Sequence, residues 1–288
     1  MKLKVLIILA LVLIALAVGI VLSNTSEDVF FDTIPWIAVA AAGLGFILGA
    51  VRALLKNRED ISYGEVIRHG AGSFFEHCGT ALGIFTLLAS GILLGFLFFP
   101  TIIDTPDKTA LPLNIHFIGV LVASFGGFFF IADYIFSREI KKLVPNIPDI
   151  FGGTIAKYLL RRKWTAEDKY LSSQKAAFLG FAVIGGVILI SGAVKVAAHI
   201  WPINAGVWGA FTVVHDLFSL LFIILLVIHV VLAIAISAHL PSLTSWISGR
   251  VTEEYTEKEH PVWYDELRTG RRRGYKLLGY KGVNKDEE

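Results

Sequence analysis

Cysteine is nearly absent: Cys78 is the only one in 288 residues. One thiol excludes a disulfide framework, a cysteine-rich zinc site and a four-cysteine iron–sulfur cluster built by this chain alone. No Cys-x-x-Cys-His run exists, so covalent c-type haem attachment is excluded as well. Charge is also scarce. Charged residues make up 17% of the chain, against about 25% in soluble domains. The formal net charge of +2 carries no signature of nucleic-acid binding. The sequence has no Walker loop, no Gly-x-Gly-x-x-Gly after a strand, no nucleophile elbow and no repeat of clear period.

What the chain has instead is apolar length. Hydrophobic residues make up 55% of it, and mean hydropathy is +0.67. A bilayer span needs about 20 predominantly apolar residues. Such stretches run from Val5 to Leu22, Ile34 to Val51, His77 to Phe99, His116 to Phe136, Ala176 to Ala198 and Phe211 to His239. The expected fold is an all-α integral membrane protein with six spans. Of 26 lysines and arginines, all but Lys108 and Lys195 fall on one side if the helices alternate. The positive-inside rule makes that side cytoplasmic. A multi-pass protein of the cell's inner (cytoplasmic) membrane follows, with both ends cytoplasmic if the first segment is retained.

That segment, residues 1–23, reads as a signal anchor, with a signal peptide as the alternative because Val21-Leu22-Ser23 precedes polar Asn24-Thr25-Ser26. Residues 24–60 supply an additional transmembrane helix. Its Ala41, Gly45 and Gly49 form a small-residue face suited to close packing. Residues 61–240 make the bundle, and 241–288 a cytoplasmic tail too polar to build a core of its own. Leu159-Leu160-Arg161-Arg162-Lys163-Trp164 suits an interfacial helix on anionic lipid.

Four histidines interrupt the apolar spans: His77, His116, His215 and His229. An ionisable side chain in a membrane helix is costly and ordinarily faces a functional interior. His215 and His229 share one helix, separated by a rise of about 21 Å and close to a whole number of turns. His77 and His116 open successive helices that run in opposite directions. Depth therefore sorts them into an outer pair, His116 with His215, and an inner pair, His77 with His229. Imidazole is the usual nitrogen ligand of haem iron, and facing helices of a bundle are the usual place for it. The expectation is a four-helix bundle holding two b haems with irons about 20 Å apart, preceded by one or two additional N-terminal transmembrane helices.

The alternative is a haem-free membrane anchor whose histidines only hydrogen-bond their neighbours, as polar residues in membrane bundles do. Four at matched depths argue against it. His69, just before the third span, is the rival to His77. His199, His239 and His260 fit interfacial or surface roles. Glycines 79, 83, 91, 95, 119, 126, 127, 180, 185, 186 and 192 offer room beside the helices for a large flat group. Arg68 and Lys195 are candidate partners of haem propionates, one per side, although Lys195 also suits snorkelling to the surface. Glu76, Asp133, Gln174 and Lys175 are the ionisable or polar groups at inner depth, with Asp133 also suited to pairing with Arg138.

Several segments resemble the cytochrome b (gamma) subunit of membrane-bound formate dehydrogenases, within the wider dihaem cytochrome b family that includes hydrogenase b-type cytochromes. The likeness covers roughly Glu65 to Leu267. It is carried by Glu76-His77 through Ala89-Ser90-Gly91, by His116 to Gly119, and by His215-Asp216 with His229. Leu143-Val144-Pro145-Asn146 with Gln174-Lys175, and Glu259-His260-Pro261-Val262-Trp263-Tyr264, belong to it as well. The resemblance implies that the four histidines ligate two b haems in the pairing given above. It implies an electron-transfer subunit of an anaerobic-respiration complex, with an iron–sulfur subunit feeding the outer haem and a quinone reduced beside His229. Substrate oxidation would fall to a molybdenum- or tungsten-pterin catalytic subunit. The family commonly has tryptophan where Cys78 stands. It commonly reads Tyr-Asn-x-Gly-Gln-Lys where this chain has Tyr170-Leu171-Ser172-Ser173-Gln174-Lys175, so the asparagine and glycine associated with the quinone pocket are replaced by Leu171 and Ser173, while Gln174 and Lys175 stand as candidate pocket residues. A hydrogenase or another molybdoenzyme is the alternative electron source.

Overall fold

The computed structural model describes residues 2–26, 28–55, 61–95, 103, 108–160, 166–236 and 239–269. Within them six helices are long and apolar enough to cross a membrane. They are α1 (Lys2–Thr25), α2 (Trp36–Leu55), α3 (Ala71–Leu94), α4 (Ala110–Phe136), α5 (Ser172–Ile200) and α6 (Ala205–Ala235). Arg161 to Trp164, expected in an interfacial helix, lie outside the described residues, as do 96–99 of the expected third span. The chain divides into two compact units: a membrane bundle from stretches within 1–57, 69–140 and 180–249, and a smaller unit from 58–68, 141–179 and 250–288.

In the bundle, sequence spacing becomes packing. Gly45 and Gly49 of α2 lie against the carbonyls of Phe125 and Phe129 on α4, so close that a Cβ at either would strike the carbonyl oxygen. This is the small-residue face expected from Ala41, Gly45 and Gly49. Gly83 of α3 meets the Ala123 backbone on α4, and Gly119 of α4 meets Leu87 of α3. These glycines bring backbones together, the role small residues serve where burial alone does not drive helices to associate. Before α2, Asn114 is fully buried and clamps the connection: its Nδ2 donates to the Asp28 carbonyl and its Oδ1 accepts from Phe30 N–H, both at 2.8 Å. Phe31 packs edge-on to Phe117, with centroids 5.0 Å apart.

Five of the six helices start earlier than the expected spans, α1 at Lys2 and α5 at Ser172 among them. α3 begins at Ala71, α4 at Ala110 and α6 at Ala205, so His77 and His116 lie inside their helices rather than at the first residue, and His215 lies deeper along its helix than a start at Phe211 implies. Hydropathy marks where the apolar run starts, whereas the helical backbone begins before it, and at α6 a side-chain cap fixes the start. Asn204 supplies it for α6 by accepting the Gly206 N–H at 2.9 Å. α3 also passes through π-helical turns at Phe75–Gly79, and it ends at Gly95, whose φ of 82° suits glycine.

The smaller unit contains β1 (Ile61–Ser62), β2 (Glu65–Ile67) and β3 (Arg250–Thr252), antiparallel in that order, with Ile61 opposite Val66 and Val66 opposite Val251. Tyr63 and Gly64, both at positive φ, turn the first hairpin. Val66, Val251 and Trp263 form a small core, flanked by Ile61, Tyr255 and Leu267. Residues 250–269 thus gain a core by pairing with 61–67, a long-range partnership that the tail's own composition does not reveal. The Tyr264 hydroxyl donates to Glu253 Oε1 at 2.8 Å, and that bond pushes the phenol's pKa up.

Candidate haem sites

His77 stands in the π-helical turns of α3, and π turns re-aim a side chain relative to a regular helix. His229 projects from α6. Their ring centroids are 6.4 Å apart, tilted by 43°. The ring of Trp246, in the short helix Leu240–Ser248, stacks on His77 at 4.4 Å. The same indole stacks on His69 at 3.8 Å. His69, the rival ligand, is therefore buried behind Trp246 in a three-ring stack. Phe181 of α5 meets His229 edge-on at 5.6 Å. Cys78 Sγ lies 3.9 Å from His77 Nδ1, so the cysteine touches the candidate ligand as well as filling space.

Next to His77 is a buried charge cluster. Arg52 of α2 donates to Glu76 Oε1 at 2.6 Å, to Asp133 Oδ2 and to Ser73 Oγ at 3.1 Å. Glu76 and Asp133 are almost wholly buried. Arg52, rather than the expected Arg138, is Asp133's partner, because close α2–α4 packing carries the guanidinium there. Arg138 falls in the turn after α4 with φ of 61°.

His116 of α4 and His215 of α6 lie within electrostatic reach of each other and of Lys195. Lys195 itself faces Asp216. Each ring meets a serine on the preceding span. His116 Nδ1 is 2.9 Å from Ser90 Oγ, and His215 Nδ1 is 3.1 Å from Ser191 Oγ. A Cβ on Gly192 would come within 3.2 Å of the His215 ring, and one on Gly91 within 3.9 Å of the His116 ring. The glycines expected to make room therefore divide. Gly83, Gly119 and Gly126 serve helix packing, while Gly91 and Gly192 face the imidazoles.

The remaining candidates lie in the smaller unit. Arg68, expected near a propionate, is buried and bonded to His260 Nε2 at 2.8 Å and to the Lys169 carbonyl at 2.9 Å. His260 is itself fully buried, with Nδ1 2.6 Å from the Asp168 carbonyl, so it is a core residue and not a surface one. His69 and His239 are buried too, which leaves His199, paired with Asp32 at 2.6 Å, as the exposed one of the four. Gln174 Oε1 accepts from Leu171 N–H at 3.0 Å, and Lys175 Nζ donates to buried Asp149 at 3.3 Å. Both are engaged in holding the start of α5, where backbone N–H groups lack helical partners. Asp149 also accepts from Asn146 N–H at 3.0 Å, which joins two separately recognised stretches of sequence.

The donor set fits a haem. Two metal–imidazole bonds of about 2.0–2.1 Å, with the ring radii added, span the 6.4 Å between His77 and His229. Among the described residues no cluster of three or more His, Cys, Asp or Glu could hold a bare metal ion. A haem iron asks the protein for two imidazoles only, because the macrocycle supplies its other ligands.

Among the described residues, membrane helices that bring imidazoles together in pairs fit a membrane cytochrome of the b type. A family model described as prokaryotic cytochrome b561 matches residues 68–246, and the chain belongs to that family. It is 26% identical over 209 residues to a protein of Escherichia coli (strain K12) named formate dehydrogenase, cytochrome b556(fdo) subunit, covering 70% of this chain and 93% of that one. The protein of the same name from Escherichia coli O157:H7 gives the same figures. α1 and α2 precede the matched region.

Proposed function

We propose that this chain is the membrane-anchoring dihaem cytochrome b of a formate dehydrogenase complex. The pairing of His77 with His229 at 6.4 Å carries the reading, and the similarity to the formate dehydrogenase cytochrome b556 subunit supports its assignment to that enzyme. Haem b at these positions supplies reversible one-electron transfer between ferric and ferrous iron. His116 and His215 hold one haem on the outer side, and His77 and His229 hold the other on the inner side. α6 carries a ligand of each, so a single helix sets the distance between the two haems. Lys195 is the cation placed to meet a propionate at the outer pair.

Electrons enter from an iron–sulfur subunit whose molybdenum- or tungsten-pterin partner oxidises the substrate, and they leave to a quinone on the inner side of the cell's cytoplasmic membrane. Quinone reduction takes up protons, and Glu76, adjacent to His77 and shared with Asp133 through Arg52, is the carboxylate assigned to hold one. Gln174 and Lys175 keep the quinone-side role that family likeness gives them. A reduced-minus-oxidised spectrum of the purified protein, with haem quantified against protein, tests the reading. It predicts a b-type band and two haems per chain, whereas protein without haem would overturn it.

A further inference from the structure

Two serines treat their histidines alike although they sit on different helices. Ser90 Oγ donates to the carbonyl one turn back, Thr86, at 2.7 Å, with Leu87 O at 3.1 Å. Ser191 Oγ does the same with Val187 at 2.7 Å and Ile188 at 3.1 Å. Each serine is followed by a glycine that faces the same imidazole, Gly91 or Gly192. Both serines are buried. The Ser-Gly pair on one span and the histidine on the next is therefore one device built twice, in α3 with α4 and again in α5 with α6.

A hydroxyl has a single proton. Spent on the backbone carbonyl, it leaves the serine oxygen only the role of acceptor. The proton between serine and histidine must then come from Nδ1. At His215 a second contact settles the matter, because the Ile188 carbonyl lies 3.2 Å from Nδ1 and a carbonyl can only accept. At His116 the Leu87 carbonyl stands in the equivalent place. With Nδ1 protonated, Nε2 carries the lone pair. Metal-bound imidazoles characteristically donate their other N–H in this way, which fixes ring orientation and raises ligand basicity.

We propose that Ser90 and Ser191 are positioning residues of the His116–His215 haem, each accepting the Nδ1 proton of the histidine opposite it. They set the tautomer, the rotation and the basicity of both ligands. The pair His77 and His229 instead meets aromatic rings, Trp246 stacked on His77 and Phe181 edge-on to His229, with the Cys78 Sγ 3.9 Å from His77 Nδ1 and no serine bonded to either ring among the described residues. This inference rests on the haem reading above and adds to it that the two haems are tuned by different means. A more basic imidazole favours ferric iron, so the serines lower the potential of their own haem and leave the other alone.

The test is a redox titration of membranes containing the complex, with Ser90→Ala, Ser191→Ala, the double variant, and Ser90→Thr with Ser191→Thr as the variants that keep a hydroxyl. The double alanine variant should move the reduction equilibrium of one haem about tenfold toward ferrous, a rise of 59 mV for one electron. The other haem should stay put, and threonine should restore the first. The low-spin ferric resonance of the same haem should shift with it. Two unchanged potentials in a double variant that still holds two haems would overturn the proposal, leaving the serines as helix back-bonds only. So would loss of a haem that threonine does not restore. A wild-type protein without haem would instead sink the functional reading itself, so the two failures are distinguishable.

Discussion

The His116–His215 pair and the His77–His229 pair are held by different chemistry. At the first, each ring is tied by a hydroxyl on a neighbouring span, and Lys195 is the cation close by. At the second, the rings meet aromatic side chains, Trp246 stacked on His77 and Phe181 edge-on to His229, beside an ion cluster that α2 contributes. A hydrogen bond fixes a proton and an orientation. A stacked ring fixes the plane but leaves the ring nitrogen's electronics alone. On the proposed function, the first arrangement suits a relay with a set potential, and the second an exit where protons are handled nearby.

Substitutions can pull the two ends apart. Short of removing a ligand, Arg52→Ala should have the largest effect. It leaves Glu76 and Asp133 buried without their shared guanidinium, a loss on the order of 3–5 kcal/mol. Thermal unfolding in detergent should show the loss, with the haem at His77 released before the one at His116. The double serine-to-alanine change comes next and should move only the His116–His215 haem. Trp246→Ala should then disturb the other end alone, removing stacking worth about 1 kcal/mol and shifting one haem's absorbance band and potential while its partner's stay fixed.

The smallest effect belongs to Tyr264→Phe. The Glu253 bond raises the phenol's pKa in the folded protein, so its stabilisation is present below the unfolded value of about 10 and fades as pH climbs through the folded one. The variant should lose this alkaline sensitivity in pH-dependent unfolding and leave both haem spectra unchanged.

Local pattern and long-range contact account for what could be read in advance. The six spans and the packing face of Gly45 and Gly49 are properties of single helices, so periodicity and hydropathy reveal them. The partners of those residues are not. Arg52 reaches Asp133 only because two glycines let α2 approach α4. Trp246 reaches His77 from a helix beyond α6, and its one advance signal was an aromatic residue in a short amphipathic stretch. Judged by neighbours in sequence, Arg68 reads as a propionate partner and His260 as an interfacial residue, yet the two meet within the small unit. The Ser-Gly repetition was visible as text at Ser90-Gly91 and Ser191-Gly192, but only the contacts with His116 and His215 give it meaning.

Haem retention in four single variants, His77→Ala, His116→Ala, His215→Ala and His229→Ala, tests the pairing most directly. Each should keep one of two haems. His116→Ala and His215→Ala should lose the same one, told by its band and potential, while His77→Ala and His229→Ala lose the other. If His116→Ala and His229→Ala removed the same haem, or if wild-type protein held only one, the two-pair account would be contradicted.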